Sequence, residues 1–183
     1  RSRISRYKYT ISLSMDISSY MYRQETIIDF FPDLCTKNQK GMMNKTLIIP
    51  DVHGRTFWKS ALDTGRYEKV IFLGDYVDHY SFEGIDHLSA ISNFKDILSL
   101  KMIYRDQVIL LLGNHDLSYL SDHYRDLAAG DRHDYEFEEE LQQLFRGWRG
   151  FFKLAYEENI GGKRYLFSHA GVTMPWLKQN NKI

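Results

Sequence analysis

Cysteine is almost missing from this chain: Cys35 stands alone among 183 residues. One thiol cannot build an internal disulfide framework, so a reducing, cytoplasmic setting is the default expectation. A charge excess is missing too, with 24 Lys and Arg against 24 Asp and Glu. That balance excludes a global field drawing the protein to nucleic acid or a membrane surface, and leaves room only for a local basic patch. No apolar run approaches the roughly 20 residues of a membrane span. The N-terminus carries Arg and Lys but lacks the apolar core of a secretory signal. What the chain does hold is globular: 43% apolar and 15% aromatic residues, in a length sufficient for one domain with a sizeable core.

Patterning divides the chain near residue 42. Residues 1–42 show no clean period and are rich in Ser, Tyr and Arg. They read as an N-terminal extension, loosely packed or disordered, with a packed helix over Ser18–Phe31 as the rival reading. Residues 43–183 read as one domain of alternating elements. Apolar strands are expected at Thr46–Ile49, Val70–Leu73, Val108–Leu112, Phe151–Tyr156 and Tyr165–Phe167, the last after a turn at Gly161 and Gly162. Between them, three groups fall at helical spacing: Phe57, Trp58, Ala61 and Leu62; Ile85, Leu88, Ile91, Phe94 and Leu98; Phe137, Leu141, Leu144, Phe145 and Trp148. Such an order predicts an α/β fold whose sheet is covered on both faces, with three of the strands as parallel neighbours.

Four of these strands stop in short polar loops that contain Gly: DVHG after the first, GDYVD after the second, GNHD after the third and SHAG after the last. In open α/β sheets, ligands bind at the carboxyl ends of the strands, so the junctions are expected to converge. Together they offer Asp51, His53, Asp75, Asp78, Asn114, His115 and His169. Asp51 and His53 lie two apart, so an extended backbone points both to one side. Asp75 follows Gly74, which permits a tight turn, and its carboxylate has two oxygens with which to bridge two cations. Asn114 adds a neutral oxygen and His169 a nitrogen. A mixed N/O set of this kind suits divalent Mn, Fe, Zn or Ni better than Ca. Two such ions about 4 Å apart can clamp the attacking and leaving oxygens of a displacement at phosphorus.

In that order and at strand ends, DVHG, GDYVD, GNHD and SHAG resemble the calcineurin-like metallophosphoesterase superfamily, over roughly residues 44–178. The branch with serine/threonine protein phosphatases and symmetrical bis(5'-nucleosyl)-tetraphosphatases is nearest. The resemblance implies a layered β-sandwich with flanking helices, its metal site at the C-terminal ends of the strands. It implies two divalent transition metal ions, Mn foremost, with Asp51, His53 and Asp75 on the first and Asp75, Asn114 and His169 on the second. It assigns His115 to protonation of the leaving oxygen, Asp78 to orienting that imidazole, and a metal-bound hydroxide to nucleophilic attack. The implied activity is metal-dependent hydrolysis of a phosphomonoester, or of a nucleotide-type diester or anhydride. The substrate is then a phosphorylated small molecule, a nucleotide or a phosphoprotein; nucleic acid is disfavoured, and no membrane partner is expected. A non-catalytic binding or scaffold protein that keeps the fold is the alternative.

Two departures stand out. Protein phosphatases of the family carry GD-x-VD-R-G, where the Arg holds the substrate phosphate; here His79 takes that place, and Arg55 is the weak substitute. The family also has a further metal-binding His beyond the SHAG-like turn, and none follows His169 before Ile183. A C-terminally truncated chain is one expectation, a second metal site short of a ligand the other. His79, His87, His123 and His133 read as surface residues. Tyr119, Tyr124 and Tyr135 read as packing and loop residues, and Glu136–Glu140 as a solvated helix start. The polar stretch SDHYRDLAAGDRHDY is the segment able to shape a cap over the metals.

Overall fold

A computed structural model describes residues 45–128 and 130–179. The N-terminal extension and the helix expected over Ser18–Phe31 lie outside these residues. The chain runs β1 (Thr46–Ile49), α1 (Phe57–Asp63), β2 (Lys69–Phe72), α2 (His87–Tyr104), β3 (Val108–Leu111), α3 (Asn114–Leu120), α4 (Asp122–Ala128), α5 (Glu138–Gly147), β4 (Phe152–Lys153), β5 (Ala155–Ile160), β6 (Lys163–Ser168) and α6 (Met174–Gln179).

Strands β1 to β4 form one sheet in sequence order, every neighbouring pair parallel. Parallel pairing forces a crossover between strands, and the helices supply it. β3 is buried along its whole length, and Val70, Ile71 and Phe72 of β2 are buried as well, as befits strands covered on both faces. One face meets the helices: Trp58, Phe72, Tyr76, Phe94, Leu98, Tyr119, Leu144 and Phe145 belong to a single core. The other face meets the antiparallel hairpin of β5 and β6, where Ile71, Ile109 and Leu111 pack with Phe167. A parallel sheet, a helical layer and a hairpin layer together make the expected α/β sandwich.

The helices are anchored by polar contacts as well as burial. Asp86 caps α2, accepting from the Ser89 amide at 2.8 Å and from its hydroxyl at 2.7 Å. Trp58 donates through Nε1 to Asn93 Oδ1 at 3.0 Å, which ties α1 to α2 across the core. Glu138, Glu139 and Glu140 occupy the first turn of α5, as expected of charges that favour a helix N-terminus.

Four expectations need correction. The strand read over Phe151–Tyr156 is two: Arg149–Phe151 is a 3₁₀ turn, β4 is brief, and at Leu154 the chain leaves the parallel sheet to begin β5 in the hairpin. Periodicity cannot register a bend that changes a strand's partner. Leu88 is 64% exposed, and Ile85 precedes the Asp86 cap, so the buried face of α2 begins at Ala90. Phe57, at the first residue of α1, is exposed beside buried Trp58. His133 is buried, stacked on Tyr119 with centroids 4.5 Å apart, rather than on the surface. His123 is exposed, and His79 and His87 are half-buried with their rings edge to face.

Candidate active site

The carboxyl ends of β1, β2 and β3 meet because two glycines let their loops touch. Gly74 has φ +113°, and a Cβ there would lie 2.3 Å from the Gly113 nitrogen. A Cβ on Gly113 would lie 2.0 Å from Asp75 Oδ1 and 2.6 Å from the Asp75 nitrogen. Both contacts are closer than any side chain permits, so the approach requires glycine on each side. His53, Asp75 and Asp78 themselves hold left-handed backbone, with φ of 46°, 52° and 57°. Such conformations are costly for non-glycine residues and persist only where neighbours over-determine them.

The over-determination is visible. The amides of Val52 and His53 both donate to the Asp75 carbonyl, at 3.0 and 2.7 Å, and Gly54 donates to the Tyr76 carbonyl at 2.9 Å. Asp116 is fully buried, and its carboxylate accepts from the amides of Gly113, Asp75 and Tyr76 at 2.8, 2.8 and 2.9 Å. Burial pushes its carboxyl up to about 7 against the pull of those amides toward the charged form. Asp116 thus fastens the GNHD loop to the GDYVD loop, a role its place in the motif did not disclose.

Asp75 stands at the centre of the converging donors. Asp51, His53 and Asp75 each offer a ligand atom, all within 4.8 Å of one another. Asp75 Oδ2 lies 3.7 Å from His53 Nε2 and 3.5 Å from His169 Nε2. His169 Nε2 is 3.0 Å from Asn114 Oδ1, and His169 Nδ1 is 3.7 Å from the largely exposed Asp51. Asp75 Oδ1 accepts from the His115 amide at 3.0 Å.

The two imidazoles share one arrangement. His53 Nδ1 faces the Val77 carbonyl at 3.0 Å, and His169 Nδ1 faces the Leu73 carbonyl at 3.1 Å. Each proton therefore belongs on Nδ1, and each Nε2 turns a lone pair toward Asp75 Oδ2. Backbone carbonyls orient metal-ligating histidines in this way. Burial lowers the pKa of His53, which favours the neutral ring a cation requires. Lone pairs of His169 Nε2 and Asn114 Oδ1 facing each other beside a carboxylate repel unless positive charge lies among them. The donor set fits divalent cations of mixed N/O preference.

Beside this cluster sits the pair His115 and Asp78. Nδ1 of the buried imidazole donates to Asp78 Oδ2 at 2.8 Å. That hydrogen bond raises the His115 pKa; burial opposes it, and the Arg132 guanidinium opposes it further. Asp78 accepts on its other oxygen from the Tyr119 hydroxyl, which in turn accepts from the Asp134 amide at 2.9 Å. Burial and the Asp78 charge push the Tyr119 hydroxyl well above its ordinary pKa, so it stays a donor. Tyr119 was legible only as packing; its part as the positioning residue behind Asp78 depends on a contact across 41 positions of sequence.

Among the described residues, Arg55 makes no hydrogen bond or ion pair with the site residues. It is held by Glu83 through Nε at 2.9 Å and Nη2 at 2.8 Å. The cation that does is Arg132, from the polar stretch read as a cap. Its Nη2 lies 2.9 Å from His115 Nε2, and its Nη1 donates to the Asp78 carbonyl at 2.9 Å. No sequence signal marked it, since its loop has no period and its partners are distant in the chain.

Comparison with known proteins supplies the family. The family profile described as calcineurin-like phosphoesterase matches residues 45–183. A probable serine/threonine-protein phosphatase of Encephalitozoon cuniculi (strain GB-M1) is 29% identical over 140 residues, covering 75% of this chain and 28% of the relative. The chain thus spans less than a third of that relative's length. A serine/threonine phosphatase structure from Saccharomyces cerevisiae, described as similar to human phosphatase PP5, aligns over 80% of this chain and 46% of its own, with 18% identity and a TM-score of 0.46. Among the described residues, no helix is long and apolar enough to cross a membrane.

Proposed function

Since the chain belongs to the calcineurin-like phosphoesterase family, we propose that it hydrolyses a phosphomonoester, or a nucleotide-type diester or anhydride, with divalent metal ions. One observation carries the reading: Asp75 Oδ2 collects the Nε2 atoms of His53 and His169 within 3.7 Å, directly beside the His115–Asp78 pair. Two cations, Mn foremost, would supply the Lewis acidity that polarises the phosphoryl group and activates water. Asp51, His53 and Asp75 would hold the first, and Asp75, Asn114 and His169 would hold the second.

The remaining work falls to this chain's own residues. Asp78 keeps the His115 proton on Nδ1 in the resting ring, raises its basicity, and so readies Nε2 to carry a proton to the leaving oxygen. Tyr119 holds Asp78 in place. Asp116 and the two facing glycines keep Asp75 where both metal sites share it. The family and the relative's name both point to phosphoric ester substrates.

The test is hydrolysis of p-nitrophenyl phosphate and of bis-p-nitrophenyl phosphate, with and without added Mn, by wild type and Asp75→Asn. Metal-dependent turnover that Asp75→Asn removes together with bound metal is the expected result. A wild-type protein that holds Mn and hydrolyses neither ester supports the scaffold reading instead.

A further inference from the structure

Resting on that reading, we infer that Arg132 is the residue that binds the substrate's phosphoryl oxygens. The observation is a cation in the site that pairs with no carboxylate among the described residues. Arg55, Arg125, Arg146 and Arg164 each reach a carboxylate, those of Glu83, Glu138, Asp122 and Glu157. Arg132 is half-buried, yet among the described residues its nitrogens meet only neutral groups: the Asp78 carbonyl at 2.9 Å, His115 Nε2 at 2.9 Å and His53 Nδ1 at 3.4 Å. A guanidinium withdrawn from water with no anion facing it is costly, and an arriving dianion relieves that cost.

The geometry selects phosphate as the anion. The guanidinium carbon lies 3.9 Å from the Tyr80 ring centroid, so the Arg132 plane is stacked and its swing restricted. The carbonyl of Asp78 holds Nη1, which also lies 3.4 Å from His53 Nδ1, and Nη2 reaches His115 Nε2. A planar fork fixed in this way matches two oxygens of one phosphoryl group, which an ammonium cannot do. The fork borders both halves of the site. His53 turns its other nitrogen to Asp75, and His115 is the proposed proton donor. A phosphoryl group over the metal ligands would thus point its leaving oxygen at His115 and a terminal oxygen at Arg132.

Arg132 Nη2 now occupies the approach to His115 Nε2. A small shift of Nη2 onto a phosphate oxygen, with Nη1 kept on the Asp78 carbonyl, releases that nitrogen toward the leaving oxygen. Beyond Arg132 opens a cleft of about 530 Å³, lined in part by Asp78, Tyr80, Phe82 and His87, with room for the alcohol on that side. Sequence pattern placed a His at position 79 where an Arg was expected; Arg132 reaches the vacant role from another loop.

The test uses the Mn-loaded chain, inorganic phosphate as ligand and p-nitrophenyl phosphate as substrate. Arg132→Ala is expected to raise both the calorimetric Kd for phosphate and KM by about 10- to 100-fold, the scale of a lost charged hydrogen bond. Bound metal should be unchanged. Arg132→Gln keeps a polar side chain without the charge and controls for folding; it should show the same loss at an unchanged melting temperature. Arg132→Lys should recover it only in part. Unchanged phosphate affinity in Arg132→Ala and Arg132→Gln, with wild type active, overturns the assignment to Arg132 alone. The loss appearing in Arg55→Ala instead does so too. A wild type that neither binds phosphate nor hydrolyses p-nitrophenyl phosphate overturns this inference and the phosphoesterase reading together.

Discussion

In the parallel sheet, every residue of β3 is buried, and the loops after β2 and β3 are locked by three amides on one carboxylate. In the hairpin that carries His169, Lys163 to Leu166 of β6 are exposed and Phe167 is the only buried residue of the strand. The two regions contribute to one cluster from scaffolds of very different firmness. Asp75, His53, Asn114 and His115 come from the first, and His169 comes from the second. Substitutions are tolerated unequally across the site as a result. Of the proposed metal ligands, His53 and Asp75 are buried at strand ends, whereas His169 comes from a thinly packed layer. Metal affinity is therefore expected in two classes, with dialysis removing the ion that His169 holds before the other, as elemental analysis would report.

The comparison breaks most completely at Gly113→Ala. Its Cβ cannot coexist with Asp75 at 2.0 Å, so the firm region must open. Loss of both metals and of all measurable turnover is expected, with a destabilisation of at least about 1–3 kcal/mol from overpacking, read by denaturant titration. A variant that still holds metal would show that the two loops do not need their close approach.

His115→Asn is expected to act within an intact cluster. Metal content should hold while kcat falls about 10²–10⁴-fold for alkyl phosphates, the scale of a lost general acid. The deficit should shrink for p-nitrophenyl phosphate, whose leaving group needs no proton. An equal loss across leaving groups would give His115 a different part.

His169→Ala tests the softer region. Affinity for the second metal should fall about 10- to 100-fold while the first stays bound, followed by Mn titration. Equal loss of both ions would mean that the hairpin is as integral as the sheet. The smallest effect is expected far from the cluster, at the Asp86 cap of α2. The Ser89 hydroxyl and amide hold the Asp86 carboxyl below its usual range. The stabilisation is thus present above the unfolded pKa and lost as pH falls through the lower folded one. Asp86→Ala should lower the melting temperature slightly at pH 7, and the gap from wild type should close in acid.

How far the sequence could be read differs between the same two regions. β1, β2 and β3 were legible almost to the residue, because four-residue apolar runs bounded by Gly and Asp have few other meanings. The hairpin was legible in its turn, where Gly161 and Gly162 both take positive φ, but not in its start. Phe151 to Tyr156 read as one strand because hydropathy is blind to which sheet a strand joins. His133 misled for a related reason. It lies in a polar stretch, yet Tyr119 stacks on it and Ser118 Oγ lies 3.1 Å from its Nδ1.

What the sequence determined by itself was the chemistry on offer: carboxylate, imidazole and amide side chains at the ends of strands that must be buried and parallel. Local composition suffices for that, since strand, turn and ligand type are all written within a few residues. How these groups are used depends on contacts made in the folded chain. The proton positions on His53 and His169 follow from carbonyls of residues 24 and 96 positions away. The orienting of Asp78 by Tyr119 and the place of Arg132 between two imidazoles arise from packing across 41 and 17 positions. Such contacts carry no local pattern, because what selects them is the low dielectric of a shared interior, where each polar atom must find a partner wherever the fold brings one.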